Sequence, residues 1–84
     1  MYEHSKGEFS VYQFFPDESY SQEARFVAAN EAAAIAKQLM RSVGAKLGTT
    51  VRVIITDGGD CCVFEWIHGK GIVFPPDLVG KPDV

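Results

Sequence analysis

The residues with reactive side chains gather in the C-terminal half of the chain. Cys61 and Cys62 stand side by side, Asp57 and Asp60 flank Gly58-Gly59, and His68 follows. With His4 they offer thiolate, imidazole and carboxylate, the usual ligands of zinc. Zinc sites, however, draw cysteines from spacings such as C-x2-C, which let both sulfurs reach one ion. Neighbouring residues on a strand point to opposite faces, so Cys62 is expected in the core and Cys61 half exposed. No metal and no other cofactor is expected. A reactive Cys61 would need nearby positive charge, and Arg52 is only diagonally placed. Two carboxylates without further oxygen ligands hold a cation weakly, and turn chemistry alone explains Asp57 and Asp60. Glu23 and Glu65 would work as a general acid and base only across a cleft, and Arg25 and Arg52 are simpler partners for them. Gly69-Lys70-Gly71 lacks both the GxxxxGK[ST] spacing and the following helix of a phosphate cradle, so it reads as a turn. No residue is assigned a catalytic role. A small-molecule or enzymatic site near the Asp57–Asp60 hairpin, using Cys61 and His68, is the alternative reading.

The elements that position these residues follow from periodicity. Glu8 to Phe15 is aromatic and β-prone, Pro16-Asp17-Glu18-Ser19 is a turn, and Tyr20 to Val27 reads as the returning strand. That hairpin pairs Phe15 with Tyr20, Val11 with Ala24 and Phe9 with Phe26. Phe9, Val11, Ala24 and Phe26 then share one face, and Tyr12, Phe14, Glu23 and Arg25 the other. Ala32, Ile35, Ala36, Leu39 and Val43 recur at helical steps, with Asn30 as the expected N-cap, or a start two residues earlier, and Gly44 as the stop. The alanines would let this helix approach a sheet closely. Ala45 to Thr49 is a connector. Val51 to Thr56 and Cys61 to Ile67 are strands joined at Gly58-Gly59, where a type I′ turn needs positive φ twice. This register sets Ile55 against Cys62, Val53 against Phe64, Val51 against Trp66 and Arg52 against Glu65. Ile72 to Phe74 adds a possible short fifth strand before Pro75-Pro76.

The order β-β-α-β-β predicts an α+β domain of two layers, an antiparallel four-stranded sheet of order 2-1-3-4 on one helix. Residues 8–76 form this single domain, between a flexible tail at 1–7 and an extended tail at 77–84. One helix leaves the far side of the sheet bare, and Tyr12, Phe14, Ile54 and Val63 are expected there. A contiguous apolar patch marks a contact surface. The leading expectation is therefore a non-enzymatic module that associates with other protein through this open face, as a homodimer.

Composition narrows the partners. The 84 residues carry 8 Lys+Arg against 11 Asp+Glu, a formal charge of −3. Tyr12 and Phe14 on an open sheet match the aromatic platform of single-strand binders, but such platforms are ringed by basic residues. Nucleic acid is thus the weaker alternative. No run approaches the roughly 18 apolar residues that span a bilayer. The polar N-terminus lacks a signal-peptide pattern, and two adjacent cysteines suit a reducing compartment, so the expected location is cytoplasmic, without membrane contact.

Four segments carry a likeness. Val11-Tyr12-Gln13-Phe14-Phe15-Pro16, Arg25-Phe26-Val27 to Glu31-Ala32, Ser42-Val43-Gly44-Ala45-Lys46-Leu47-Gly48 and Arg52-Val53-Ile54-Ile55-Thr56-Asp57-Gly58-Gly59-Asp60 resemble a group of short bacterial proteins with no assigned function. The resemblance spans residues 8–76. It implies a bacterial, cytoplasmic β-β-α-β-β domain and supplies no site residue.

Overall fold

The computed structural model describes residues 7–79. Strands β1 (Phe9–Phe14) and β2 (Tyr20–Val27) precede helices α1 (Ala29–Met40) and α2 (Val43–Leu47); β3 (Arg52–Thr56), β4 (Cys62–Ile67) and β5 (Gly71–Phe74) follow. All pairings are antiparallel, in one sheet of order β2-β1-β3-β4-β5. The α+β class, the neighbour order 2-1-3-4 and the short fifth strand agree with the sequence reading. The expected tail over 1–7 lies, except for Gly7, outside the described residues, as do His4 and residues 80–84. The expected tail from Asp77 begins differently: Pro76–Leu78 is a 3-10 turn, and Leu78 packs against the core.

The core forms where α1 crosses β2, β1 and β3. Val11, Val53, Ile55, Phe64 and Ile72 meet Ala32 and Ala36, all buried, with Ile35, Leu39 and Trp66 around them. Two alanines one helical turn apart let the helix backbone settle close to the sheet, as the stripe predicts. The helix takes the earlier of its two expected starts. Its N-cap is Ala28, with no side-chain cap, and Asn30 lies inside the first turn beside Glu31.

Gly44 does not stop the helix. The Ser42 hydroxyl accepts from the Ala45 amide at 3.1 Å, caps α2, and donates to the Leu39 carbonyl at 2.7 Å. Gly48, at φ 88°, ends α2 instead. Gly44 is needed for contact: a Cβ there would stand 2.8 Å from Thr50 Oγ1, and its carbonyl accepts the amides of Gly48, Thr49 and Thr50. The break also carries Val43 out of the expected core stripe, to 71% exposure.

Both hairpins keep their partners but not their register. Val11 opposes Ala24 as expected, yet Phe9 meets Val27 and Phe14 meets Tyr20, because β2 bulges on either side of Ala24. Phe26 takes φ 56° at one bulge and is exposed, so Val27 fills the core position expected of Phe26. A bulky residue there stores backbone strain of about 1–3 kcal/mol, tolerated because the flanking pairs hold it. Glu23 leaves its expected face too: Gln13, which pairs with Val53 on the helix side, donates to Glu23 Oε2 at 2.8 Å.

At the second hairpin the loop is three residues, not two. The Asp57 amide donates to the Cys61 carbonyl at 2.9 Å, and Asp60, not a glycine, takes the left-handed φ of 62°. Asp57 Oδ1 accepts from the amides of Gly59 and Cys61 at 2.9 and 3.1 Å, an Asx turn that makes the type I′ alternative unnecessary. Thr56 therefore opposes Cys62, and a further irregularity at Val63 brings Ile55 opposite Phe64 and Val53 opposite Trp66. The loop and the bulge each add one residue. Together they restore the facing of β4 while shifting its partners by two.

Candidate interaction face

Opposite α1, the register lays side chains out in rows across the sheet. One row runs Tyr20, Phe14, Arg52, Ile67 and Gly71; the next runs Gln22, Tyr12, Ile54, Glu65 and Phe74. A third, polar row holds Ser10 and Thr56, both buried, and the exposed Cys62, so the open part of the face is the first two rows. The expected residues Tyr12, Phe14 and Ile54 thus do share the open face, and the chain as far as Leu78 closes on the helix side instead. Val63 leaves the group: as the extra residue of the β4 bulge it packs against the core.

The face is held by its own rings and by one ion pair. Tyr20 lies edge-on to Tyr12 with centroids 5.8 Å apart, and tilts against Phe14 at 5.6 Å. Gln22 Nε2 donates to the Tyr12 hydroxyl at 3.1 Å. Arg52 stands 5.4 Å above Phe14 and donates from Nε to Glu65 Oε2 at 2.8 Å. The pair expected directly across the ladder is in fact diagonal, since Arg52 opposes Ile67 and Glu65 opposes Ile54. Tyr20, Ile67 and Phe74 were not expected here. Ile67 continues the alternation from Glu65, whereas Tyr20 and Phe74 could have been found only with the irregularities of β2 and β5 known. Beyond the first row a hollow of 470 Å³ opens between Phe14, Phe15, Pro16, Val51 and Ile67, with Glu18 and Arg52 at its rim.

The alternative site does not assemble. Asp57, Asp60 and Cys61 sit at one end of β4 and His68 at the other, so the six residues of β4 separate them by about 20 Å at roughly 3.3 Å per residue. Among the described residues no three or more His, Cys, Asp or Glu could hold a metal ion. Cys61 and Cys62 are both free and exposed, which corrects the core position expected for Cys62. The shift follows from the three-residue loop, which turns Cys62 to the side of Thr56. Within that exposed residue the thiol itself is partly buried: it donates to the Phe64 carbonyl at 3.2 Å, and this partial desolvation pushes its pKa up. Glu23 and Glu65 lie on opposite sides of the sheet, bonded to Gln13 and Arg52. Gly69 and Gly71, at φ 87° and 86°, frame the turn predicted there.

The edges of the sheet are poor templates for a further strand. β2 carries two register irregularities and the charged Glu23 and Arg25, and β5 is four residues long and stops at Pro75-Pro76. Among the described residues, no helix is long and apolar enough to cross a membrane. No protein-family model, curated protein or solved structure matches the chain.

Proposed function

We propose that this protein acts without catalysis, by pairing with a second copy of itself through the open face of its sheet. The observation that carries the reading is the aromatic cluster of Tyr12, Phe14 and Tyr20 on that face, with Tyr20 62% exposed. Large rings left in water, rather than turned into the core, gain by meeting another apolar surface. A second copy fits because the face is its own complement. Its two rows hold one guanidinium and one carboxylate, Arg52 and Glu65, which pair with each other, so two copies bring no net charge together. A nucleic acid would instead ask for unpaired basic residues around the rings.

The size of the face sets the strength. Five strands at about 4.8 Å and six residues at about 3.3 Å give a projected area of roughly 480 Å². Stable complexes bury about 800 Å² on each partner, so the pairing belongs to the small, reversible class and depends on concentration. Two exposed free thiols suit a reducing, cytoplasmic setting.

Light scattering over a concentration series tests the reading. The wild type is expected to rise from 9.2 kDa toward twice that mass. Phe14→Asp is expected to stay at the lower value, since a charge buried at the contact would be unpaired. A wild type that remains monomeric throughout refutes it. A salt-sensitive shift with single-stranded nucleic acid, without self-association, would put the aromatic platform to the other use.

A further inference from the structure

At the end of the sheet, past the Phe14 row, the hollow of 470 Å³ is bounded by the β1–β2 turn, the start of β3 and the end of β4. Its walls are apolar, with Phe15 and Pro16 from the turn and Val51 and Ile67 from the strands. A hollow of this size holds a small molecule, and such sites combine apolar walls with a few fixed polar groups. The charged side chains at this rim are Arg52 and Glu18, of opposite sign.

Arg52 is a cation held in place. Its Nε donates to Glu65 Oε2 at 2.8 Å, and its guanidinium lies over the Phe14 ring at 5.4 Å. That orientation leaves the two terminal nitrogens as donors for a carboxylate. Glu18 is the anion. It takes the left-handed position of the turn, at φ 74°, where glycine or asparagine is the usual choice. The turn is braced around it: the Glu18 amide donates to the Phe15 carbonyl and the Phe15 amide to the Ser19 carbonyl, both at 2.9 Å. Asp17 Oδ1 accepts from the Ser19 amide and hydroxyl. Among the described residues the Glu18 carboxylate has no hydrogen bond or ion pair. The fold therefore keeps a strained acidic side chain that makes no polar contact within it, and strain of this kind clusters at binding sites.

The spacing of the two charges selects the ligand. The turn joins β1 to β2 and β3 is the next strand, so about 7 Å, one and a half strand spacings, separates the two backbones. Both side chains are long enough to close on one small head group from opposite sides. A plain carboxylate would be repelled by Glu18, and a plain ammonium by Arg52. A head group with both charges on one carbon satisfies both, and the apolar walls take what that carbon carries.

We propose that the hollow binds a free α-amino acid with a large apolar side chain, its carboxylate on Arg52, its ammonium on Glu18 and its side chain against Pro16, Val51 and Ile67. Binding here is independent of the pairing of two copies, because Phe15, Pro16, Glu18 and Val51 lie outside the two rows.

Amide chemical-shift titration of the full-length chain tests the site, at a dilution where light scattering gives 9.2 kDa. L-phenylalanine is compared with N-acetyl-L-phenylalanine, which lacks the ammonium, and L-phenylalaninamide, which lacks the carboxylate. L-phenylalanine is expected to give saturable shifts at Phe15, Glu18, Val51 and Ile67, and to bind several-fold tighter than either analogue. Glu18→Gln should weaken L-phenylalanine several-fold and leave the N-acetyl analogue unchanged. Equal affinity for all three ligands, a Glu18→Gln loss shared by the N-acetyl analogue, or no saturable shift with L-phenylalanine overturns the proposal. A wild type that stays monomeric at every concentration removes the pairing and leaves this site intact; a failed titration does the reverse.

Discussion

The two sides of this sheet both carry large apolar side chains and end in different states. On the helix side, Val11, Val53, Ile55, Phe64 and Ile72 are buried beneath Ala32 and Ala36. On the other side Tyr12, Phe14, Ile54 and Ile67 are only half-buried, and what shelter they have comes from each other. Aliphatic residues dominate where a helix seals the layer. Aromatic rings and an ion pair occur where none does, because wide rings can shield one another and leave a polar edge in water. The presence of large apolar side chains alone therefore does not tell a core from a contact surface. What distinguishes them is whether the covering layer belongs to the same chain.

Substitution can break this contrast. The largest effect is expected on the sealed side: Phe64→Ala should cost about 3–5 kcal/mol in urea unfolding, from lost burial and the cavity left behind. A loss under about 1 kcal/mol would mean that the helix side is not the stabilising one. Gly59→Ala examines the hairpin that sets which residues of β4 face which side. With its φ outside the left-handed region and its Cβ 3.6 Å from Asp57 Oδ1, alanine should fit and stabilise by about 0.4–1 kcal/mol. Destabilisation would instead favour a two-residue type I′ loop. On the open side, Arg52→Ala should lower monomer stability by only about 0.2–1 kcal/mol, because the side chain is 46% exposed. A larger loss would make the ion pair structural rather than a feature of the surface.

The finest contrast is chemical. Burial raises the pKa of the Cys62 thiol, so at a given pH it presents less thiolate, the form that alkylates. In a Cys61→Ser variant, the pH midpoint of its reaction with iodoacetamide should fall when the chain is unfolded in urea. An unchanged midpoint would leave Cys62 in ordinary solvent.

Much of the fold was legible because it rests on long periodic signals. The alanine stripe of α1 and the alternation in β1 and β3 set the layers, and chain direction then left few ways to order the strands. The open-face positions of Tyr12, Phe14 and Ile54 followed from the same alternation. Bulges were not legible. An extra residue such as Val63 or Glu23 has no compositional mark, and only the balance of packing on both sides of the ladder places it. That is why Val63 and Phe26 moved while Val11 and Ala24 stayed paired. The second helix had its signals, Ser42 as a cap and Gly48 as a stop, but Gly44 offered an earlier stop. Its true role, a close approach to Thr50, is a tertiary contact. At Gly58-Gly59 the dipeptide pointed to a two-residue loop, and the carboxylate of Asp57 decided for three.

Sedimentation velocity over a dilution series, comparing the wild type with Phe14→Asp and Phe26→Asp, bears most directly on the role of the open face. Phe26 is also exposed, at 57%, but it sits on a bulge of the edge strand outside the rows. The account predicts a reversible dimer for the wild type and for Phe26→Asp, and a monomer for Phe14→Asp. A monomeric wild type, or equal dissociation by the two substitutions, would contradict it.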